Sequence, residues 1–206
     1  MFADVAALHQ AMLEKNPTEF VSHFLFEPTP FVFANNFEQW ISWKSELAAG
    51  IDVDPRDIVL TGSAAIGFSL NPYKRFKAYD AKSDIDCGVV SPHHFDVAWR
   101  QLRKMRPQWL SLPRASREAI NIHRENYIFA GTIATERILP ILPFGRRWKA
   151  ALEKMSTRDP TLNRDVKLRI YKDYDALRQY HAHNISKLRN TFFLEEDAPT
   201  DLGIEN

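Results

Sequence analysis

Three stretches of the chain carry the apolar pattern of strands. Residues 58–61 (Ile58-Val59-Leu60-Thr61) and 85–90 (Ile85-Asp86-Cys87-Gly88-Val89-Val90) are short apolar runs bounded by turn residues. Residues 166–171 alternate cleanly, with Val166, Leu168 and Ile170 on one face and Lys167, Arg169 and Tyr171 on the other. Helical spacing dominates elsewhere. Val5, Leu8, Met12 and Leu13 predict a helix over 5–15, ended by Asn16-Pro17. A second helix, over 36–49, is capped by Asn36, turns Trp40, Ile41 and Leu47 inward, and is closed by Gly50. A short helix follows at 63–68, and an amphipathic one at 94–105 shows Phe95, Ala98, Trp99 and Leu102 on one side. Residues 116–130, 131–139 and 144–155 read as helices separated by Gly131, Pro140 and Pro143. The last helix, over 174–189, places Leu177, His181, Ile185 and Leu188 in register.

The segments between are less regular. Residues 20–33 are aromatic but broken by Pro28 and Pro30, which predicts a short helix and then an extended piece. Phe24, Phe26, Phe31 and Phe33 serve there as packing anchors or as a docking surface for a protein partner. Residues 71–82 form a loop in which Lys74, Arg75, Lys77 and Lys82 interleave with Tyr73, Phe76 and Tyr79. Its two readings, a solvated surface or a phosphate and nucleic-acid contact, stay open. The expected fold class is α/β (α+β), a mixed sheet flanked by helices. Residues 1–50 form a helical, aromatic extension and 51–194 the core. That core has a helical insert at about 107–160, and 195–206 form an acidic, disordered tail.

Composition narrows the function classes. A net charge of +1 gives no global pull toward nucleic acid, so any basic footprint is local. Cys87 is the only cysteine, which excludes an internal disulfide and makes a reducing compartment the default. No stretch is apolar and long enough to span a bilayer and no secretory signal is visible, so a soluble cytoplasmic protein is expected.

The chemistry concentrates between residues 58 and 90. An apolar run enters the Gly62-Ser63 turn, whose amides and hydroxyl suit phosphate oxygens. Asp84 and Asp86 then flank Ile85 at the head of the next strand, so both carboxylates face one way while Ile85 faces the core. Two like charges side by side call for a cation, and Mg²⁺ (or Mn²⁺) completed by substrate phosphates is the natural occupant. Each half alone is an ordinary turn or a solvated strand end; together and in this order they are specific. Cys87, on the opposite face, reads as packing.

This Gly-Ser turn, short helix and Asp-x-Asp strand closely resembles the nucleotidyltransferase superfamily, which includes DNA polymerase beta, antibiotic nucleotidyltransferases and oligonucleotide-synthesising immune enzymes. The resemblance covers about residues 57–105. It implies a nucleotidyltransferase-like mixed sheet and metal-dependent transfer of a nucleotide from an NTP with release of pyrophosphate. It assigns the metal to Asp84 and Asp86 and the triphosphate to Gly62 and Ser63, aided by basic residues such as Lys74 and Lys82. The acceptors it allows are an RNA end, a protein hydroxyl, a small molecule or a second nucleotide. Small bacterial members act in toxin–antitoxin and phage-defence (antiviral) modules. Active members carry a third catalytic carboxylate on a neighbouring strand, and Asp165, at the start of the 166–171 strand, is the candidate. If Lys167 or Arg169 points at the pair instead, a fixed cation replaces the second metal, and the alternative reading is a degenerate module that binds nucleotide or a partner without turnover.

Overall fold

The computed structural model describes residues 2–196. Four strands make up its one sheet: β1 (Ile58–Thr61), β2 (Ile85–Val90), β3 (Thr132–Ala134) and β4 (Val166–Tyr171). Among the described residues eight α-helices surround it. They are α1 (Val5–Glu14), α2 (Pro17–Val21), α3 (Phe37–Ile51), α4 (Gly62–Ile66), α5 (Pro92–Lys104), α6 (Arg114–Ile122), α7 (Gly145–Met155) and α8 (Tyr174–Glu196). The order β1-β2-β4-β3 is mixed: β2 and β4 run parallel, and the two outer pairs run antiparallel. The architecture is α+β.

Alternation along the strands gives the sheet two unlike faces. Ile58, Leu60, Ile85, Cys87, Val89, Leu168 and Ile170 sink into the main core, where α5 and α7 pack on β4 and α3 packs on α7. The other face is covered only in part. Val59, Val90 and Tyr171 close against Leu177 of α8 in a smaller cluster. Gly88 permits that closure, since a Cβ there would lie 3.1 Å from both Leu177 Cδ1 and Tyr171 Cε2. Two residues earlier on β2 the apolar cover stops and Asp86 lies open. The uncovered end of this face is where chemistry is available.

The N-terminal helices belong to the same core: Leu8, Met12, Phe20 and Val21 are buried, and α2 lies against α8. Asn16 starts α2 with a reciprocal capping box to Glu19. Of the four aromatic anchors, Phe33 is buried, Phe24 and Phe26 pack on the core, and the Phe31 ring lies edge-on to Tyr79.

Several elements depart from the sequence expectation. The helix expected at 131–139 is instead strand β3 followed by a 3₁₀ turn, Leu139–Ile141, because β-branched Thr132 and Ile133 pair with Tyr171 and Ile170 of β4. Gly50 does not close α3; the helix runs to Ile51 and ends at Asp52 in the left-handed conformation. What Gly50 provides is space, since a Cβ there would sit 2.7 Å from that of Ala151 in α7. The helix expected at 116–130 gives way after Ile122 to a π turn, His123–Tyr127, where the His123 ring nitrogens contact the carbonyls of Ala119 (2.6 Å) and Ala134 (2.7 Å). Residues Ser22–Phe26 form a second π turn, and Phe31–Phe33 a 3₁₀ turn where an extended piece was expected. The final helix continues through Glu196, past the expected start of the tail at 195, and the rest of that expected tail, 197–206, lies outside the described residues. Among the described residues no helix is long and apolar enough to cross a membrane.

The expected α8 stripe of Leu177, His181, Ile185 and Leu188 is buried. His181 Nε2 lies 3.2 Å from the Tyr171 hydroxyl. Burial, and secondarily the Arg169 charge, lower its pKa to about 3. A histidine with a depressed folded-state pKa contributes stability that is fully present above the unfolded-state value and lost as pH falls toward the folded one. Urea unfolding is therefore expected to show stability falling below pH 6.5 by up to about 1.4 kcal/mol per pH unit, a slope that His181→Gln flattens.

Candidate functional site

The site begins where β1 ends. Gly62 has φ +63°, a backbone state that strains any residue with a side chain, and an added Cβ would stand 3.1 Å from Asp86 Oδ2. The bare turn is thus pressed directly against a carboxylate of the next strand. The register explains it: Thr61 pairs with Asp86, and the Thr61 hydroxyl donates to the Asp86 carbonyl (3.3 Å). Gly62 and Ser63 at one end, Asp84 and Asp86 at the floor, and Lys74 and Lys82 from the following loop all line one open cleft of about 910 Å³. Six of the seven residues singled out from sequence are brought together.

Asp165 is the seventh and stands apart. It precedes β4 with an exposed side chain, accepts the Ile85 N–H on its backbone carbonyl (2.9 Å), and does not line the cleft. The β2–β4 register places Lys167, not Asp165, beside Asp86. Lys167 projects into the cleft and forms an ion pair and hydrogen bond with Asp84. That bond holds the Lys167 pKa above its ordinary value against the loss of hydration, with Asp86 and Glu136 adding to it. Asp86 is exposed on the cleft side, yet partial desolvation of its carboxyl pushes its pKa up while Lys167 pulls it down.

The basic loop is held rather than free. Phe76 is buried, and Tyr79 is half-buried beneath the Arg164 guanidinium, 4.6 Å from the ring centroid. Arg164 Nη1 also donates to the carbonyls of Asp80 (2.6 Å) and Ser83 (3.0 Å). Two of the loop's three aromatics therefore pin it. Tyr73 alone of them is 96% exposed at the cleft rim and free to stack on a ligand.

Three further groups of residues line the cleft, and of these only Arg169 was weighed from sequence. Glu136 follows β3 and supplies a third carboxylate, one that acts electrostatically on Asp86, Lys167 and Arg169. The Arg169 guanidinium lies between the rings of Tyr127 (4.8 Å) and Tyr180 (4.6 Å), and its Nη1 is buried with no hydrogen-bond partner among the described residues. Burial works against the Arg169 charge, but the tyrosines and Glu136 keep its pKa above the ordinary value. Finally, Tyr180, Asn184, Lys187 and Thr191 of α8 overhang the cleft at helical spacing, a polar stripe that the sequence displays beside the apolar one.

Compared with known proteins, the chain matches no protein-family profile, no curated protein and no solved structure.

The donor set also bears on metal. Among the described residues no group of three or more His, Cys, Asp or Glu side chains is placed to hold a metal ion. Two aspartates, one of them engaged by Lys167, fit a single hard cation that a polyphosphate brings with its own oxygens. They do not fit a two-cation centre.

Proposed function

We propose that this chain is a nucleotidyltransferase of the superfamily it resembles, binding an NTP in the cleft and transferring its nucleotidyl group to an acceptor hydroxyl. The observation that carries this reading is the contact between the two halves of the motif: the bare Gly62 turn lies against Asp86, with Asp84 beside it on the same open face. A triphosphate seated on Gly62 and Ser63 would find the cations of Lys74, Lys82 and Lys187 on the surrounding walls. Asp84 and Asp86 are the residues to hold one Mg²⁺ or Mn²⁺, which when bound would neutralise charge on the phosphates. Tyr180 and Asn184 face the same space and suit the stacking and hydrogen bonding of a base or ribose. In the transfer step the acceptor oxygen bonds to the α-phosphorus, the α–β bridging P–O bond breaks, and pyrophosphate leaves. The acceptor's proton goes to a cleft carboxylate, and Glu136 takes the place once assigned to Asp165.

The test is incubation of the chain with each labelled NTP, Mg²⁺ or Mn²⁺, and total RNA or protein. Label transfer or pyrophosphate release that vanishes in the Asp84→Ala plus Asp86→Ala variant is the expected result. A second reading is favoured by the Lys167–Asp84 pair: a catalytically degenerate module that binds nucleotide, or a protein partner through its aromatic N-terminal region, without turnover. Tight NTP binding with no transfer to any acceptor selects that reading over the first.

A further inference from the structure

Lys167 is held in the middle of the sheet, beside Asp86 in the β2–β4 register, yet its ammonium is bonded to Asp84. The pair is neither sealed nor loose: the two side chains are 35% and 34% exposed, on the side open to the cleft. A lysine there can exchange partners, because its four-carbon stem is flexible and its ammonium can turn its donors to any nearby anion. The surroundings favour such exchange. Asp86 and Glu136 raise the negative potential at the ammonium, and an arriving triphosphate would bring further anionic oxygens into the same cleft.

We propose that Lys167 is a gating cation: in the nucleotide-free protein it closes Asp84 to divalent metal, and on nucleotide binding it moves to a phosphate oxygen. Asp84 is then released to the single cation that the nucleotide carries. Metal enters only with nucleotide, and the free protein is guarded from idle cations. The second half of this inference rests on the nucleotide reading; the first half does not.

The two halves are read separately on the full chain. Mn²⁺ binding without nucleotide, followed by electron paramagnetic resonance, is expected to be weak in the wild type and in Lys167→Arg, which keeps the cation. In Lys167→Met one site should appear with affinity about tenfold higher or more, as removal of a positive charge a few ångströms away implies. ATP, GTP, CTP and UTP binding in EDTA, followed by calorimetry, is expected to weaken about tenfold in Lys167→Met, because a phosphate loses its ammonium. Asp84→Asn serves as a second variant should Lys167→Met fail to fold: it frees the ammonium, so metal-free NTP binding should tighten while no Mn²⁺ site appears. Equal Mn²⁺ affinity in folded wild type and Lys167→Met, or metal-free NTP affinity indifferent to both substitutions, overturns the gate. Absence of NTP binding in every protein overturns the nucleotide reading instead, and the Mn²⁺ comparison still decides whether Lys167 closes Asp84.

Discussion

Asp86→Asn is expected to cut nucleotide transfer by roughly a hundredfold or more, the scale on which loss of one charge-stabilising group acts. The fold should survive it, and at neutral pH should gain slightly in stability. The side chain keeps its shape, so Gly62 still packs against it and the Thr61 hydroxyl still reaches the backbone carbonyl. What changes is the charge. Partial desolvation raises the Asp86 pKa, so the native state holds its proton to higher pH than the unfolded chain does. Such a group favours folding below the unfolded-state range, and that contribution is lost as pH rises through the folded-state value. At neutral pH the charged Asp86 is thus a cost carried by the fold, which asparagine removes. Pyrophosphate release and urea unfolding, measured on the same preparation, should move in opposite directions. A variant equally active, or one clearly less stable at pH 7, contradicts the role assigned to this carboxylate.

Trp148→Ala is expected to cost about 3–5 kcal/mol of stability, a large share of what a domain of this size possesses. Trp148 is fully buried in α7, in a cluster of tilted rings with Phe144 (4.4 Å between ring centroids) and His94 (4.9 Å). Its indole N–H donates to the Ile51 carbonyl (3.0 Å), which ties α7 to the end of α3. Alanine leaves both a cavity and an unpaired carbonyl at the helix end. Trp148→Phe restores most of the volume but not the donor, so its midpoint in urea should fall between those of wild type and Trp148→Ala. Indistinguishable midpoints for wild type and alanine would mean that α3 and α7 are not coupled through this ring.

The parts of the fold legible in sequence are those whose pattern is complete within the segment. β1, β2 and β4 each carry their own alternation or apolar run, and the α8 stripe is unbroken over about three turns. β3 was read as helix because three residues cannot display a period; what makes them a strand is the edge of β4. Glu136 was missed for the same reason, since it reaches the cleft only through β3. Gly50 misled in a different way. It looks like a helix stop, and only the approach of Ala151 from a hundred residues downstream gives its missing side chain another purpose. At the site, the Gly62-Ser63 turn and the two aspartates were visible as a motif, whereas the choice between Asp165 and Lys167 depended on register. A shift of two residues would set Asp165 beside Asp86 in place of Lys167, and no spacing within the strand records it.

The most direct measurement is a crystal structure of the chain grown with a non-hydrolysable NTP and Mg²⁺. The triphosphate is predicted to lie against Gly62 and Ser63, facing Asp84 and Asp86 across one cation, with the Lys167 ammonium moved from Asp84 to a phosphate oxygen. A nucleotide bound elsewhere, such as the shallow hollow formed by Asn16, Gln179 and His183, would contradict the account. So would a cleft left empty at saturating nucleotide.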